Sequence, residues 1–384
     1  MTTSKTFYVP SVNLIGQGCL YEMGDFVQAA GYKKAFVVTD KVLVKTGIVQ
    51  KVLDVLDGIN VSCSLFDEVQ PNPTSAIVHR GLELLNESGS DVILSIGGGS
   101  PQDCAKAIGI IKTNGGHIRD YEGGHKSIHR SFPVIAVNTT AGTSSELTIN
   151  YVITDEERQV KMVMVDKNSL VQLSVNDPAL MINKPKELTA ATGMDALTHA
   201  IESIVTPGSY AVTETLALGA VELIFEYLPR AVKNGQDIEA REQMVHAIFL
   251  AGLAFNNAGL GFVHSMAHQL GGVYNMPHGV CNAMLLPIVE RENAKYVPRK
   301  FRKIAKTIGA DVKELNDAEC AEYVIMQIER LSEEVGIPKT LSEIGLTDVD
   351  LDKLAENSLL DACAPGNPFM PTKEETIKMF EQIL

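Results

Sequence analysis

The amino-acid sequence predicts an α/β domain built on a parallel sheet over residues 1–182, followed by an all-helical domain over residues 183–384. Three observations carry that reading. In the first half, short and continuously apolar runs alternate with helical patterns, as expected of parallel strands buried under helices on both faces. Beyond Pro178 the periodicity becomes helical, with few β-branched runs. At 384 residues the chain is too long for one compact core, so two domains are the default.

Taken in order, Lys34–Asp40 reads as a strand ending in an acid, Ala76–Leu85 as a helix, Val92–Ile96 as a second strand and Pro133–Val137 as a third. Strands alternating with helices imply βαβ units. The domain boundary falls near Met181–Pro185. Leu188–Val205 is helical and stops at Thr206-Pro207-Gly208. Between Arg291 and Lys306 the chain carries Arg291, Lys295, Arg299, Lys300, Arg302, Lys303 and Lys306. Phe301, Ile304, Ala305 and Ile308 fall there at helical spacing, so the stretch reads as an amphipathic helix with a solvated basic face.

Composition narrows the function classes. The net charge of −14, from 33 basic and 47 acidic residues, repels phosphate backbones and argues against a nucleic-acid binder. Cys19, Cys63, Cys104, Cys281, Cys320 and Cys363 are dispersed without a C-x-x-C pair, so neither a disulfide framework nor a zinc ribbon is expected. The first ten residues lack the apolar stretch of a signal peptide. No apolar run approaches the ~20 residues of a membrane span. A reduced, cytoplasmic protein with neither membrane nor nucleic acid as partner is expected.

The chemistry-bearing signal lies in the second half. Asp195 and His199 stand at i and i+4, so on a helix both point the same way. His264 and His268 repeat the spacing, and His278 follows shortly. Any one of these histidines alone is more readily an ordinary core or helix-face residue. Two i,i+4 pairs and a further histidine in one apolar region favour a metal. One carboxylate with three imidazoles suits Fe(II) or Zn(II) better than Ca or Mg.

The first half carries a second signal. Gly97-Gly98-Gly99-Ser100-Pro101-Gln102-Asp103 follows a strand and opens a helix. The glycines allow close approach of a ligand to the backbone. Ser100 reads as a cap, Pro101 as the first helical residue and Asp103 as the partner in a capping-box-like pattern. Free amides at that terminus suit a pyrophosphate, although G-x-G-x-x-G is absent; a plain strand-to-helix turn is the alternative. Asn138–Glu146 also follows a strand, and its Thr139, Thr140 and Thr143 can donate to a nucleotide. Asp40 closes its strand as a ribose-binding acid does, or it merely caps a turn. At the ribose it would favour NAD over NADP.

A nucleotide site in one half and a metal site in the other suggest a cleft between them and metal-assisted hydride transfer between an alcohol and a nicotinamide. His268, not needed as a fourth ligand, is placed to pass the alcohol proton to solvent.

The chain resembles the iron-containing alcohol dehydrogenases over essentially its full length. The matching segments are Gly97–Asp103, Thr139–Glu146, Ala191–Ala200, Ala254–Gly261, His264–Gly272 and Pro277–Val280. The resemblance implies a dehydroquinate synthase-like fold, with an α/β nucleotide-binding domain and a helical metal-binding domain. It implies NAD as cofactor and a divalent ion, most often Fe(II) and in some members Zn, held by Asp195, His199, His264 and His278. It implies dinucleotide contacts from Asp40, Asn72, Gly97, Gly98, Gly99, Ser100, Asp103, Thr139, Thr140, Thr143 and Lys161. Asn150 and Phe255 match positions near the alcohol, and homodimers or larger homo-oligomers are common among relatives. Thr148–Glu157 is similar to the lactaldehyde reductase (1,2-propanediol oxidoreductase) branch, with Ile149 where many branches carry Arg. Ala190–Asp195 and Asn256-Asn257 also resemble 1,3-propanediol, methanol and other short-chain alcohol dehydrogenases. Ile288 and Phe369 stand where relatives often have His and Arg.

Three other readings compete. Dehydroquinate synthase and glycerol dehydrogenase relatives differ at the metal ligands. A metallohydrolase gives the glycine loop and Asp40 no role. A non-enzymatic assembly module predicts degraded ligands, and none is degraded here.

Overall fold

The structure, a computed structural model, describes residues 4–384. It divides into two compact units, one ending at Ile182 and the other spanning Asn183–Leu384. The strands are β1 (Val12–Ile15), β2 (Lys34–Val38), β3 (Ser62–Phe66), β4 (Val92–Gly97), β5 (Gly123–Gly124), β6 (Val134–Asn138), β7 (Asn150–Asp155), β8 (Val160–Val165) and β9 (Leu173–Asn176). The helices of the first unit are α1 (Cys19–Ala30), α2 (Lys41–Lys45), α3 (Ile48–Asp57), α4 (Ser75–Ser88) and α5 (Gly99–Asn114).

Six strands form one parallel sheet in the order β1-β9-β6-β4-β2-β3. Its strands alternate their side chains between two cores. Phe36, Val38, Ile93 and Ala136 face Val78, Leu85, Ile108 and Ile111 of α4 and α5. Ala35, Val37, Leu94 and Val137 face Met23, Val27, Val52 and Leu56 of α1 and α3. Both faces are covered, which is why these strands read as unbroken apolar runs. From β2 the chain goes to β3 on one side and then to β4 on the other. The strand order therefore reverses at β2, and the carboxyl ends of β2, β4 and β6 lie side by side. Open α/β sheets bind ligands at such a point.

The three strands read from the sequence lie within a residue or two of their expected ends. β1, β3 and β9 carry no comparable signal, because β1 and β9 have four residues each and the edge strand β3 exposes Ser62, Cys63 and Leu65. A separate sheet, β5-β8-β7, joins the antiparallel pair β7 and β8 to a two-residue parallel strand. The alternation of buried and half-buried residues along β7 fits a strand with only one face in the core.

The second unit has nine α-helices and no strand among the described residues: α6 (Lys186–Val205), α7 (Ala211–Lys233), α8 (Ile238–Ala258), α9 (Phe262–Tyr274), α10 (His278–Asn293), α11 (Pro298–Thr307), α12 (Asp317–Glu334), α13 (Leu351–Leu360) and α14 (Lys373–Glu381). The basic stretch is not one helix. Arg291 belongs to α10, the chain breaks at Ala294–Val297, and α11 starts afresh with Pro298 at its first position. Proline lacks the N–H that a continuing helix would need. Phe301, Ile304 and Ala305 are buried as the spacing implies. No single helix among the described residues is long and apolar enough to cross a membrane.

Candidate active site

Helix α6 sets the first group of side chains. It ends at Thr206-Pro207, and close packing fixes its neighbours. A Cβ at Gly193 would come within 2.2 Å of Leu228 on α7, and one at Gly279 within 2.5 Å of the Ala191 carbonyl. The start of α10 therefore closes directly on α6. Asp195, His199 and Glu202 follow at i, i+4 and i+7 and share one helix face. Helix α9 contributes His264 and His268 one turn apart, and α10 begins at His278.

These elements bring ligand atoms together. One ligand atom from each of the buried Asp195, His199 and His264 lies within 4.8 Å of the others. His278 Nε2 stands 3.6 Å and His264 Nε2 3.9 Å from Asp195 Oδ1. The Asn282 side chain, one turn after His278, sits among them. Its Nδ2 is 2.7 Å from Asp195 Oδ1, 3.2 Å from His264 Nε2 and 3.1 Å from His278 Nε2. An amide NH₂ has two protons and faces three acceptors, while its own buried Oδ1 finds no hydrogen-bond partner among the described residues. The excess of converging lone pairs fits a cation. Burial disfavours an imidazolium at His264, but the carboxylates of Glu202 and Asp195 outweigh it and its pKa lies above the ordinary value.

Phe255 stacks on the His199 ring at 4.3 Å and 15°. The Nδ1 of His268 faces Asp361 Oδ2 at 3.0 Å, and its ring lies 5.5 Å from that of His278. Burial raises the Asp361 carboxyl, but His268 more than offsets this and its pKa falls below the ordinary range. Glu202, Asn282 and Asp361 were not singled out in the sequence. The i+7 and i+4 spacings from Asp195 and His278 were available for the first two. Asp361 lies far along the chain and gives no local signal.

In the first unit Asp40, the glycine loop and the threonine loop follow the carboxyl ends of β2, β4 and β6. Helix α5 starts at Gly99 with Gly98 as its cap residue, so Ser100 is not the cap and Asp103 completes no capping box. Asp103 instead accepts the Ser145 hydroxyl at 2.5 Å and the Val152 amide at 3.0 Å, tying α5 to the second loop and to β7. A Cβ on Gly97 would meet Pro101 at 2.5 Å, one on Gly98 would meet Thr140 at 2.7 Å, and one on Gly99 would meet Thr143 at 2.9 Å. Gly98 and Gly99 are thus required by the close packing of the two loops, and Gly97 by the approach of Pro101. Thr139 donates its amide to the Gly97 carbonyl at 3.1 Å, and Thr140 donates its amide to Asn138 Oδ1 at 3.0 Å.

Asp40 follows β2 and caps α2, accepting the Leu43 amide at 2.9 Å. Asn72 has a positive φ of 55° just before the Pro73 and Thr74 that lead into α4. Lys161 lies on β8 opposite Thr154, near enough for its charge to act on Asp103. Asn150 opens β7, where the buried Lys106 donates to its carbonyl and to that of Thr148, both at 2.8 Å. Burial pushes the Lys106 pKa down to about 8.

The pattern described as "Iron-containing alcohol dehydrogenase" matches residues 10–178, and that of the "Fe-containing alcohol dehydrogenase family, C-terminal" matches residues 189–384. The chain belongs to this family and is an oxidoreductase of the alcohol dehydrogenase class. It is 42% identical to the NAD-dependent methanol dehydrogenase of Bacillus methanolicus, covering 98% of this chain and 99% of that protein. It is 43% identical to the lactaldehyde reductase of Escherichia coli K12, covering 95% and 96%. The solved structure of a 1,3-propanediol oxidoreductase superposes with a TM-score of 0.97 at 44% identity, covering all of both chains.

Proposed function

We propose that this enzyme interconverts a short-chain alcohol or diol and its aldehyde with NAD(H), with lactaldehyde and 1,2-propanediol as the favoured pair. The observation that carries the reading is the convergence of Asp195, His264 and His278 on one amide nitrogen, with His199 beside them. These four would hold the ion, Fe(II) first and Zn(II) second. When bound, the metal supplies Lewis-acid polarisation of the alcohol oxygen and the dinucleotide supplies a hydride acceptor.

The chain's own residues do the rest. The amides at the start of α5, framed by Gly97, Gly98, Gly99 and Ser100, would donate to the pyrophosphate. Thr139, Thr140, Thr143, Asn72, Lys161 and Asp40 would complete the dinucleotide site, Asp103 acting by fixing the loops. His268 takes up the alcohol proton at Nε2, because its Nδ1 is committed to Asp361. Phe255 forms an apolar wall against His199, and Asn150 offers a donor and an acceptor to a second hydroxyl.

We further propose a cytoplasmic homo-oligomer. The six cysteines stand as free thiols, which suits a reducing compartment. Phe7, Val9 and Val12 are exposed along and just before edge strand β1, which supports assembly.

The test strips metal with chelator, reloads Fe(II) or Zn(II), and assays short alcohols and aldehydes with NAD(H). Turnover is expected to vanish and return, and 1,2-propanediol and lactaldehyde to give the highest kcat/KM. Full activity of metal-free protein would overturn the metal assignment; a preference for methanol or 1,3-propanediol would overturn the substrate.

A further inference from the structure

Glu202 is fully buried, and both of its oxygens are directed at the start of α9. Its Oε2 lies 2.6 Å from His264 Nδ1. Its Oε1 accepts the Val263 amide at 2.7 Å and, more weakly, the His264 amide at 3.4 Å. These are free amides of the first turn of α9, which has no local side-chain cap because Gly261 precedes it. The remaining first-turn donor, the Phe262 amide, goes to Asn367 Oδ1 at 3.2 Å. The approach depends on Gly261, where a Cβ would lie 3.0 Å from both Glu202 Oε1 and Asn367 Oδ1. One carboxylate from α6 therefore holds the backbone and the ring of His264 together.

We propose that Glu202 is a positioning residue for the metal centre: it holds the His264 proton on Nδ1 and aims the Nε2 lone pair at the ion. The inference rests on the metal reading above. A neutral imidazole has one donor and one acceptor nitrogen, and a carboxylate against Nδ1 selects the tautomer whose Nε2 can ligate. That Nε2 is the atom facing Asp195 and Asn282. Because Asp195, His199 and Glu202 share a face of α6, that helix supplies two candidate ligands and also the residue that orients a third, from α9. Behind Glu202 the buried Glu290 is raised well above its ordinary pKa, by burial first and then by the Glu202 charge.

The experiment measures Zn(II) affinity of the full chain by competition with a chromophoric chelator, for the native protein, Glu202→Gln and Glu202→Ala. Glutamine keeps an oxygen that can accept the α9 amides but lacks the charge that fixes the tautomer. We expect the metal-free Glu202→Gln protein to melt near the native temperature and to bind Zn(II) about 10- to 100-fold more weakly. Glu202→Ala should lose both melting temperature and affinity. Native Zn(II) affinity in Glu202→Gln would overturn the inference while leaving the metal site standing. A native protein that binds no Zn(II) would overturn the site and the inference together. Nitrogen-15 shifts of the His264 ring in the native protein give a readout that needs no variant. A neutral ring protonated on Nδ1, with Nε2 shifting on Zn(II) loading, supports the proposal, and a neutral ring that carries its single proton on Nε2 refutes it.

Discussion

Gly98→Ala tests whether the two loops form the dinucleotide cradle. The added Cβ would lie 2.7 Å from Thr140 Cγ2 and 2.9 Å from its Oγ1. Carbon–carbon contact is optimal from ~3.5 Å, so the loops must part by roughly 0.8 Å. The obstacle is a short β-branched side chain, and its residue's amide is fixed to Asn138, so it cannot swing aside as a long side chain would. Overpacking of this kind costs about 1–3 kcal/mol. If the strain is relieved by displacing the loop on which NADH is proposed to sit, the Kd for NADH rises by about 5- to 150-fold. Fluorescence titration with NADH, a melting curve and metal analysis read the result. Metal content should stay native, because the second unit's cluster uses none of these residues. Adding Thr140→Ser removes Cγ2 and should recover part of the loss. Native Kd and native melting temperature in Gly98→Ala would refute the reasoning.

Asp40→Gly should relax the preference for NADH over NADPH, read as the ratio of kcat/KM values. Loss of the α2 cap costs only a few tenths of a kcal/mol when glycine replaces Asp, so a change in cofactor preference is not a folding effect, and an unchanged ratio removes Asp40 from the ribose. Phe255→Ala should move the optimum toward longer alcohols, and Asn150→Ala should weaken diol use more than monoalcohol use; a chain-length series with both variants checks this, and native profiles would remove both residues from the pocket. The Asp155 carboxyl is raised by burial but drawn down further by Arg158 and Arg119, to about 2. Its folded pKa lies below its unfolded one, so its stabilisation is present above pH ~4 and is lost as pH falls toward 2. Asp155→Asn should lower stability at neutral pH and flatten that acid limb, and an unchanged slope in urea melts would contradict the pairing.

Periodic features were the legible part of this chain. The strands β2, β4 and β6 announce themselves because both faces are buried, and the i,i+4 pairs on α6 and α9 announce themselves because helical spacing is local. What was missed depends on contacts between segments distant in sequence. Ser100 has the chemistry of a cap, yet Gly98 takes that position, because only a residue without a Cβ fits against Thr140. Asp103 has the spacing of a capping-box acid, yet its carboxylate is drawn to Ser145 and Val152, which no local pattern reveals. Glu202 lies on the Asp195 face, but its role appears only once Gly261 brings the start of α9 against it.

Relatives named for three different substrates resemble this chain almost equally, at 42–44% identity. Two positions depart from the family pattern, Ile288 and Phe369. Ile288 is buried within α10, and Phe369 stacks on Tyr296 at 4.4 Å and 7°, so both serve as packing. Phe255 and Asn150 are held differently. The Phe255 ring lies flat on the imidazole of a proposed ligand, His199. The backbone of Asn150 is fixed from beneath by a buried lysine that also holds Thr148. Removing either side chain should therefore change the room and the polarity offered to substrate without moving the elements that carry it. The chain-length profile of each variant therefore tests the proposed role of that residue by itself.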